Sequence, residues 1–223
     1  MEQILYYFFN IPLIAPHLPA ILQGFVLTLK MAVMTVVFGT GLGLLLAIVR
    51  AYGIRPINWL LVFYIDVFRA IPQLVIIILA FFALPAFGIV IDPLPATVLA
   101  LSLVLSAFAE EIFWAGIAAV PTGQWEAGRS SGLTFSQTLF FIILPQVVRI
   151  SIPPLTNRAI GITKGTTLGS LIAVPELLNV SSNIQSTIAN PTALTVGAVL
   201  FCLIFFPFVY LTRLLEKRFA PKR

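Results

Sequence analysis

The sequence contains few of the residues from which soluble active sites are built. Only 9% of its 223 residues are charged, and it has one histidine, His17, and one cysteine, Cys202. One cysteine excludes an internal disulfide, and one isolated histidine offers no ligand set for a metal. A phosphate-binding loop of the form G-x4-GK-[ST] is also missing, because Lys164 precedes the glycine in ITKGTTLG. We therefore expect no catalytic residues, no metal site and no cofactor bound by this chain.

What the sequence has in excess is apolar residues. Hydrophobic side chains make up 60% of the chain, against about half in soluble domains, which are also about a quarter charged. A membrane-spanning helix needs roughly 20 mainly apolar residues. We predict an all-α integral membrane protein with about five transmembrane helices, forming a single polytopic domain over residues 1–223. The predicted spans are residues 21–49, 57–84, 93–118, 152–174 and 191–211.

Prolines, polar caps and glycines suggest where these helices begin and meet. Residues 1–20 contain three prolines and no lysine or arginine, which predicts an interfacial segment and not a basic signal sequence. Asp92 and Asn190 each precede a proline, a pattern typical of helix starts. Pro153 and Pro154 are expected to open the fourth span. Gly39 and Gly43, four residues apart, predict a close approach by another helix.

The distribution of positive charge predicts the orientation. With five spans, one side of the membrane receives all of the arginines and lysines outside the spans, and the other side receives none. By the positive-inside rule, the N-terminus is outside, the C-terminus is cytoplasmic, and the loop at residues 121–149 is cytoplasmic. Charges at membrane boundaries also explain the net charge of +5 better than nucleic-acid binding does. The cations on the positive side are Arg50, Arg55, Arg129, Arg149, Arg213, Lys217, Arg218, Lys222 and Arg223.

A few charged residues lie inside the predicted spans, where they are costly. Asp66 and Arg69 are three residues apart on a helix and are expected to neutralise one another, with Pro72 kinking the backbone just beyond. Glu110 and Glu111 point about 100° apart, so we expect at least one of them to face a cavity or a cation. The candidate substrate path consists of Glu111, Lys164, Arg69 and Asp66. Pairing of these side chains with one another, or across a subunit interface, remains an open alternative.

The polar loop at residues 121–149 stands out among the apolar spans. Residues 124–131 favour a helix, with Gly132 in the position that commonly ends one. Thr134, followed three residues later by Gln137, predicts a capping box that starts a second helix, which we expect to stop at Pro145. Two short helices joined by a glycine turn form a projection that could insert into a groove of a partner. A short interfacial connection is the alternative.

The loop also resembles a known motif. Its glutamate–alanine–glycine run at residues 126–128, followed at fixed spacing by Gly132, Ile142, Leu144 and Pro145, resembles the EAA-x3-G-x9-I-x-LP motif of ABC importer permeases. The one change is Gly128, where the motif has alanine. The flanking segments AVPTGQWEAGRSSGL, IILPQVVR, PPLTN and KGTTLGSLIAVPELL, together with FRAIPQL, resemble the polar amino acid branch of that family.

The resemblance implies a type I ABC importer permease in a bacterial inner membrane. In such a complex the chain pairs with a second permease subunit, either a copy or a different chain. Two ATP-binding subunits hold ATP and Mg and dock on the cytoplasmic loops, and an extracytoplasmic binding protein delivers a polar amino acid or a derivative. The chain itself would not be an enzyme. The coupling residues implied by the motif are Glu126, Ala127, Gly128, Arg129, Gly132 and Pro145.

Two other classes of protein remain as alternatives. A stand-alone channel or secondary transporter for small polar solutes would also carry charges in its spans, but it would have no reason to keep the EAA spacing. A membrane-embedded enzyme would need a constellation of nucleophile, base or metal ligands, which one histidine and one cysteine far apart do not provide.

The chain departs from the branch at several intramembrane positions. Residues 68–72 read FRAIP where FRGTP is usual. Glu110 replaces a small residue, Trp114 stands where arginine is common, and Gly165 replaces an aspartate. Because these changes cluster near the expected substrate route, they bear on the identity of the substrate more than on the family.

Overall fold

A computed structural model of the chain describes residues 2–219, which form helices connected by short turns. Four helical stretches are long and apolar enough to cross a membrane, and a bent pair of helices makes a fifth. The prediction of about five spans is therefore confirmed. Of the predicted basic tail, Lys222 and Arg223 lie outside the described residues, as do the side chains of Lys217 and Arg218. The helices are α1 (Glu2–Phe8), α2 (Ile11–Ile14), α3 (Leu18–Ala51), α4 (Arg55–Ala70), α5 (Gln73–Ile78), α6 (Pro93–Ala119), α7 (Thr122–Ser130), α8 (Phe135–Thr138), α9 (Leu144–Thr163), α10 (Leu177–Ile188) and α11 (Thr192–Phe219).

Helix α6 is the centre of the fold. It is the most buried of the long apolar helices and contacts α3, α4, α5 and α9. Its closest partner is α3, where Gly39 and Gly43 face it as the sequence predicted. A β-carbon at Gly39 would lie 2.7 Å from the Leu105 side chain, and one at Gly43 would lie 2.5 Å from the Ala109 side chain. The two backbones approach closely because neither glycine has a side chain.

The second predicted span is not one continuous helix. Helix α4 ends at Ala70, and the chain from α5 through a π-helical turn to Phe87 leaves at an angle of 107°. Ile71 adopts an extended conformation, with φ −84° and ψ 132°, because the residue before a proline disfavours the helical region. The kink predicted at Pro72 is thus confirmed, but it is a break in the span and not a mild bend.

Pro145, Pro153 and Pro154 do not act as the sequence predicted. The second loop helix does not stop at Pro145, and the fourth span does not begin at Pro153 and Pro154. Instead the helical path is continuous from Phe135 to Ile172, through a π-helical turn at residues 139–143, α9, and a 3₁₀ segment at residues 164–172. Pro145 lies in the first turn of α9, where its missing N–H costs little, and Pro153 and Pro154 lie inside α9. Membrane helices tolerate such internal prolines when neighbours satisfy the backbone.

The start of α11 fixes the N-terminal segment in position. The Asn190 carboxamide oxygen accepts a hydrogen bond from the Thr192 backbone N–H at 2.9 Å, so Asn190 caps the helix as predicted. The Asn190 side chain also donates to the Tyr6 carbonyl, and the Asn10 backbone N–H donates to the Thr192 hydroxyl. Asp92 precedes α6 as predicted, although its carboxylate makes no capping hydrogen bond. Residues 2–17 are helical turns, and their interfacial location stays a prediction.

Helix α10 is too short to cross the bilayer, as its polar sequence predicted. Its 12 residues span about 18 Å, well short of the ~30 Å hydrocarbon core. The buried Glu176 carboxylate caps it by accepting hydrogen bonds from the backbone N–H groups of Leu178 and Asn179 at 2.9 and 2.7 Å. Burial raises the pKa of Glu176, and the two N–H groups offset part of that rise.

Candidate functional site

The polar loop forms the helical projection that the sequence predicted. Helix α7 ends in a Schellman turn, in which Leu133 N–H donates to the Gly128 carbonyl and Gly132 N–H donates to the Arg129 carbonyl. Gly132 has φ +84°, a conformation that glycine adopts without steric cost, and its surroundings are open. The predicted helix end is confirmed.

The predicted capping box is present at the start of α8. The Gln137 backbone N–H donates to the Thr134 hydroxyl at 3.3 Å, and the Thr134 backbone N–H donates to the Gln137 side chain at 2.8 Å. The Phe135 ring stacks on Trp125 of α7, with centres 5.2 Å apart, and contacts Tyr52 at the end of α3. These contacts hold α7, α8 and the end of α3 together as one unit.

The projection has an outer face and an inner face. Five of the six residues predicted to couple to a partner are exposed, whereas Gly128 is buried. A β-carbon at Gly128 would lie 2.7 Å from the Thr138 methyl group and 3.0 Å from the Ile142 side chain. The single departure from the motif therefore occurs where the two helices of the projection meet most closely. The five exposed residues are Glu126, Ala127, Arg129, Gly132 and Pro145.

A second group of functional candidates lies among the spans, where both glutamates of α6 pair with arginines. The Glu110 carboxylate is fully buried and contacts Arg50 at 3.1 Å, and the Arg50 guanidinium lies 4.6 Å from the centre of the Trp114 ring. Glu111 contacts Arg69 at 2.6 Å. The expectation that at least one glutamate faces a cation is met by both.

The predicted pairing of Asp66 with Arg69 is wrong. Arg69 lies in the last turn of α4 and reaches across to Glu111 on α6, while Asp66 makes no ion pair among the described residues. Arg69 also lies 5.3 Å from the centre of the Phe108 ring, and Arg158 of α9 stacks on the same ring at 3.9 Å. Three helices thus bring Arg69, Phe108, Glu111 and Arg158 together, and we call these four residues the arginine cluster.

Lys164 lies apart from the arginine cluster. It is exposed at the start of the 3₁₀ segment and lines an open groove of about 480 Å³ against α11, with its amine 5.7 Å from the centre of the Phe205 ring. It forms no ion pair with Glu111 or Asp66 within the described residues. Of the predicted substrate path, only Arg69 and Glu111 form an ion pair in the described part of the chain.

Gly165, where the resembling branch has aspartate, fills a tight position. It is buried, and a β-carbon there would overlap the Gln73 side chain of α5 and approach Leu101 at 3.1 Å. An aspartate at residue 165 would therefore require the end of the Gln73 side chain to move.

Arg158 and Phe108 were not among the predicted site residues. One signal was available, because Phe108 and Glu111 are three residues apart and share a face of α6. Nothing in the sequence places α9 against that face, so the stacking of Arg158 on Phe108 depends on tertiary packing.

Comparison with known proteins gives the family. The family model described as the inner membrane component of binding-protein-dependent transport systems matches residues 39–221. The chain belongs to this family. Among curated proteins, the permease is 41% identical to the L-cystine transport system permease protein TcyB of Bacillus subtilis, over 74% of this chain and 71% of the relative. It is 34% identical to the probable glutamine ABC transporter permease protein GlnP of the same organism, over 93% of this chain and 95% of the relative.

Solved structures agree with this assignment. The permease superimposes on a chain of an amino acid ABC transporter with a TM-score of 0.81 and 32% identity, covering 92% of this chain and 96% of the other. It also shares the fold of a chain of the MetNI methionine ABC transporter, with a TM-score of 0.64 at 20% identity. The permease is therefore a multi-pass bacterial inner membrane component of an ABC importer, of the polar amino acid branch, and does not itself hydrolyse ATP.

Proposed function

We propose that the permease forms the path of a polar amino acid, or an amino acid derivative, through an ATP-driven importer. Relatives at 32–41% identity are named for L-cystine, glutamine, arginine, and glutamate or aspartate. These names share one chemistry, a zwitterion with a polar or charged side chain. Such a cargo needs an anion near its ammonium group and a cation near its carboxylate.

The charged side chains within the spans offer both signs. Arg69 and Glu111 keep 35% and 47% of their side-chain surface exposed on the isolated chain. Charged groups in contact with lipid are costly, so this exposed face must line water or be covered by protein. We assign Asp66, Arg69, Glu111 and Lys164 to the path, where they make charges of both signs available to the two ends of the cargo.

We propose that energy reaches this path through the projection formed by α7 and α8. Two ATP-binding subunits, which carry ATP and Mg, bind the projections of this chain and of a second permease subunit on the cytoplasmic side. An extracytoplasmic binding protein delivers the cargo on the other side. This assembly requires the N-terminus outside and the C-terminus inside, as the positive charges predict.

The observation that carries this proposal is the exposed face of the projection. Glu126, Ala127 and Arg129 project from a unit that the Schellman turn, the capping box and the Trp125–Phe135 stack hold rigid. A rigid arm transmits displacement, because a force at its tip moves its base. Its base here is the continuous helical path that passes through α9 to the 3₁₀ segment.

The test is a Gly132→Asp variant in the complete importer, reconstituted in liposomes with its ATPase subunits and binding protein. An unpartnered charge buried in a docking groove is strongly destabilising, so we expect coupled ATP hydrolysis to fall more than about tenfold while the permease stays in the membrane. Gly88→Asp is the matched control, since Gly88 also has positive φ and open surroundings but lies outside the projection. Unchanged coupling in Gly132→Asp would contradict the proposal. Transport by the permease alone would instead favour a stand-alone channel or secondary transporter.

A further inference from the structure

Arg158 is the member of the arginine cluster whose charge has no carboxylate within ion-pairing distance among the described residues. Its guanidinium carbon lies 3.9 Å from the centre of the Phe108 ring, which is stacking distance, and the residue is exposed. Arg69 approaches the same ring at 5.3 Å, but Glu111 neutralises it. The cluster therefore presents one guanidinium that is held in position and available to an anion.

Stacking on Phe108 determines how Arg158 can be used. The guanidinium carbon lies over the aromatic face. A guanidinium stacked on a ring in this way keeps its N–H groups free at its edges. A guanidinium presents two parallel N–H groups to a carboxylate, and such bidentate pairs are among the stronger hydrogen bonds in proteins. The ring thus orients Arg158 without using any of its donors.

Arg158 lies within a membrane-spanning stretch, where a cation without a carboxylate partner indicates a function. Arg158 lies on α9, on a helical stretch apolar enough to span the membrane, and Phe108 and Glu111 lie on the central helix α6. An exposed cation at such a position is expensive in lipid and is usually explained by a functional partner. No anion in the described part of the chain supplies that partner.

We propose that Arg158 binds the carboxylate of the cargo and makes a free carboxylate a requirement for transport by this permease. This inference rests on the proposed function and deepens it, because it assigns one end of the zwitterion to one residue. Phe108 acts as a positioning residue that holds the guanidinium flat.

The other end of the cargo has a candidate contact on the same face. Arg69 contacts Oε1 of Glu111, and Oε2 makes no hydrogen bond to any described residue. Glu111 follows Phe108 by three residues on α6, so the two side chains share a face of that helix. A cargo that extends across Phe108 can offer its carboxylate to Arg158 and its ammonium group to Glu111.

The test uses the complete importer in liposomes, with radiolabelled L-cystine, L-glutamine, L-glutamate and L-arginine as probes. The probe that the unmodified importer transports best is then titrated against an Arg158→Gln variant. Because the same binding protein serves both importers, its own preferences cancel in the comparison. Losing a charge-assisted hydrogen bond should raise the half-saturating concentration about tenfold to a hundredfold. Arg149→Gln, which removes an exposed arginine of the same helix, is the matched control and should change nothing.

Two further variants separate contact with the cargo from a structural role. Arg158→Lys keeps the charge but loses the bidentate pair of N–H donors and the planar group that stacks on Phe108. Its half-saturating concentration should therefore lie between that of Arg158→Gln and that of the unmodified importer. Phe108→Leu should raise the half-saturating concentration while leaving the amount of assembled complex unchanged.

Several outcomes would overturn the inference. An unaltered half-saturating concentration in Arg158→Gln would mean that Arg158 does not touch the cargo. Loss of the assembled complex in that variant, with no change in affinity for the remainder, would assign Arg158 to the interface with the second permease subunit. Failure of the unmodified importer to take up any of the four probes would overturn the proposed function, and this inference with it.

Discussion

Arg50 and Glu110 are 60 residues apart in the sequence, and one guanidinium nitrogen of Arg50 donates to both carboxylate oxygens of Glu110, at 3.1 and 3.2 Å. The Glu110 side chain is fully buried, whereas the Arg50 side chain keeps 20% of its surface exposed. The Trp114 ring lies against the same guanidinium. Glu110 and Trp114 both depart from the residues usual in the branch, and both contact Arg50, so the two departures form one structural unit that joins the end of α3 to α6.

The two partners of this pair should respond unequally to removal. Arg50→Met leaves a buried carboxylate without a partner, and we expect it to destabilise the protein by about 3–5 kcal/mol. Glu110→Gln should cost less, because Arg50 is partly in contact with solvent, and the double variant should recover most of the loss of Arg50→Met. Thermal unfolding of the purified complex in detergent measures this, with Arg55→Met as the control at a nearby exposed arginine. Equal losses in both single variants would contradict the asymmetry.

Local signals in the sequence predicted the parts of the fold that are themselves local. The end of α7 at Gly132 and the capping box of Thr134 and Gln137 depend on residues within one or two turns, and both are present. Pro145, Pro153 and Pro154 did not end or begin helices as predicted, because a local signal does not include tertiary packing. Proline stops an isolated helix, but Pro145 could be placed in a first turn, and Pro153 and Pro154 lie in a helix that tertiary packing keeps continuous.

The intramembrane charges show where sequence spacing stops being informative. Asp66 and Arg69 have the spacing of a helical ion pair, which contributes only ~0.2–0.5 kcal/mol in an isolated helix. The close packing of α4 on α6 instead gives Arg69 a carboxylate at 2.6 Å, at Glu111. Which charges meet is therefore decided by helix packing. The same holds for Arg158, whose ring partner Phe108 lies 50 positions earlier on another helix.

The contact between α3 and α6 predicts a difference between two glycines of one helix. At Gly43 a β-carbon would lie 2.5 Å from the Ala109 side chain and 2.8 Å from the Ser106 carbonyl oxygen, whereas at Gly41 nothing lies within 4 Å. Gly43→Ala should destabilise the protein by about 1–3 kcal/mol, because backbone atoms must separate. Gly41→Ala should be neutral or stabilising by up to about 1 kcal/mol, since alanine favours helix. The melting temperatures of the two variants measure the difference. Equal values would mean that the close approach of α3 to α6 at Gly43 does not contribute to stability.

The projection predicts that restoring the family motif is harmful in this chain. Gly128→Ala recreates the EAA run, yet the new methyl group would lie 2.7 Å from the Thr138 methyl group and 2.9 Å from its hydroxyl oxygen. We expect a loss of about 1–3 kcal/mol from overpacking, and with it a looser projection and weaker coupling. Thr138→Ala removes both crowding atoms, so the double variant Gly128→Ala with Thr138→Ala should regain stability and coupled ATP hydrolysis. Thr138→Ala alone is the control for the loss of the hydrogen bond that Thr138 donates to the Thr134 carbonyl. If the double variant were as impaired as Gly128→Ala alone, crowding by Thr138 would not be the reason that this chain has glycine at residue 128.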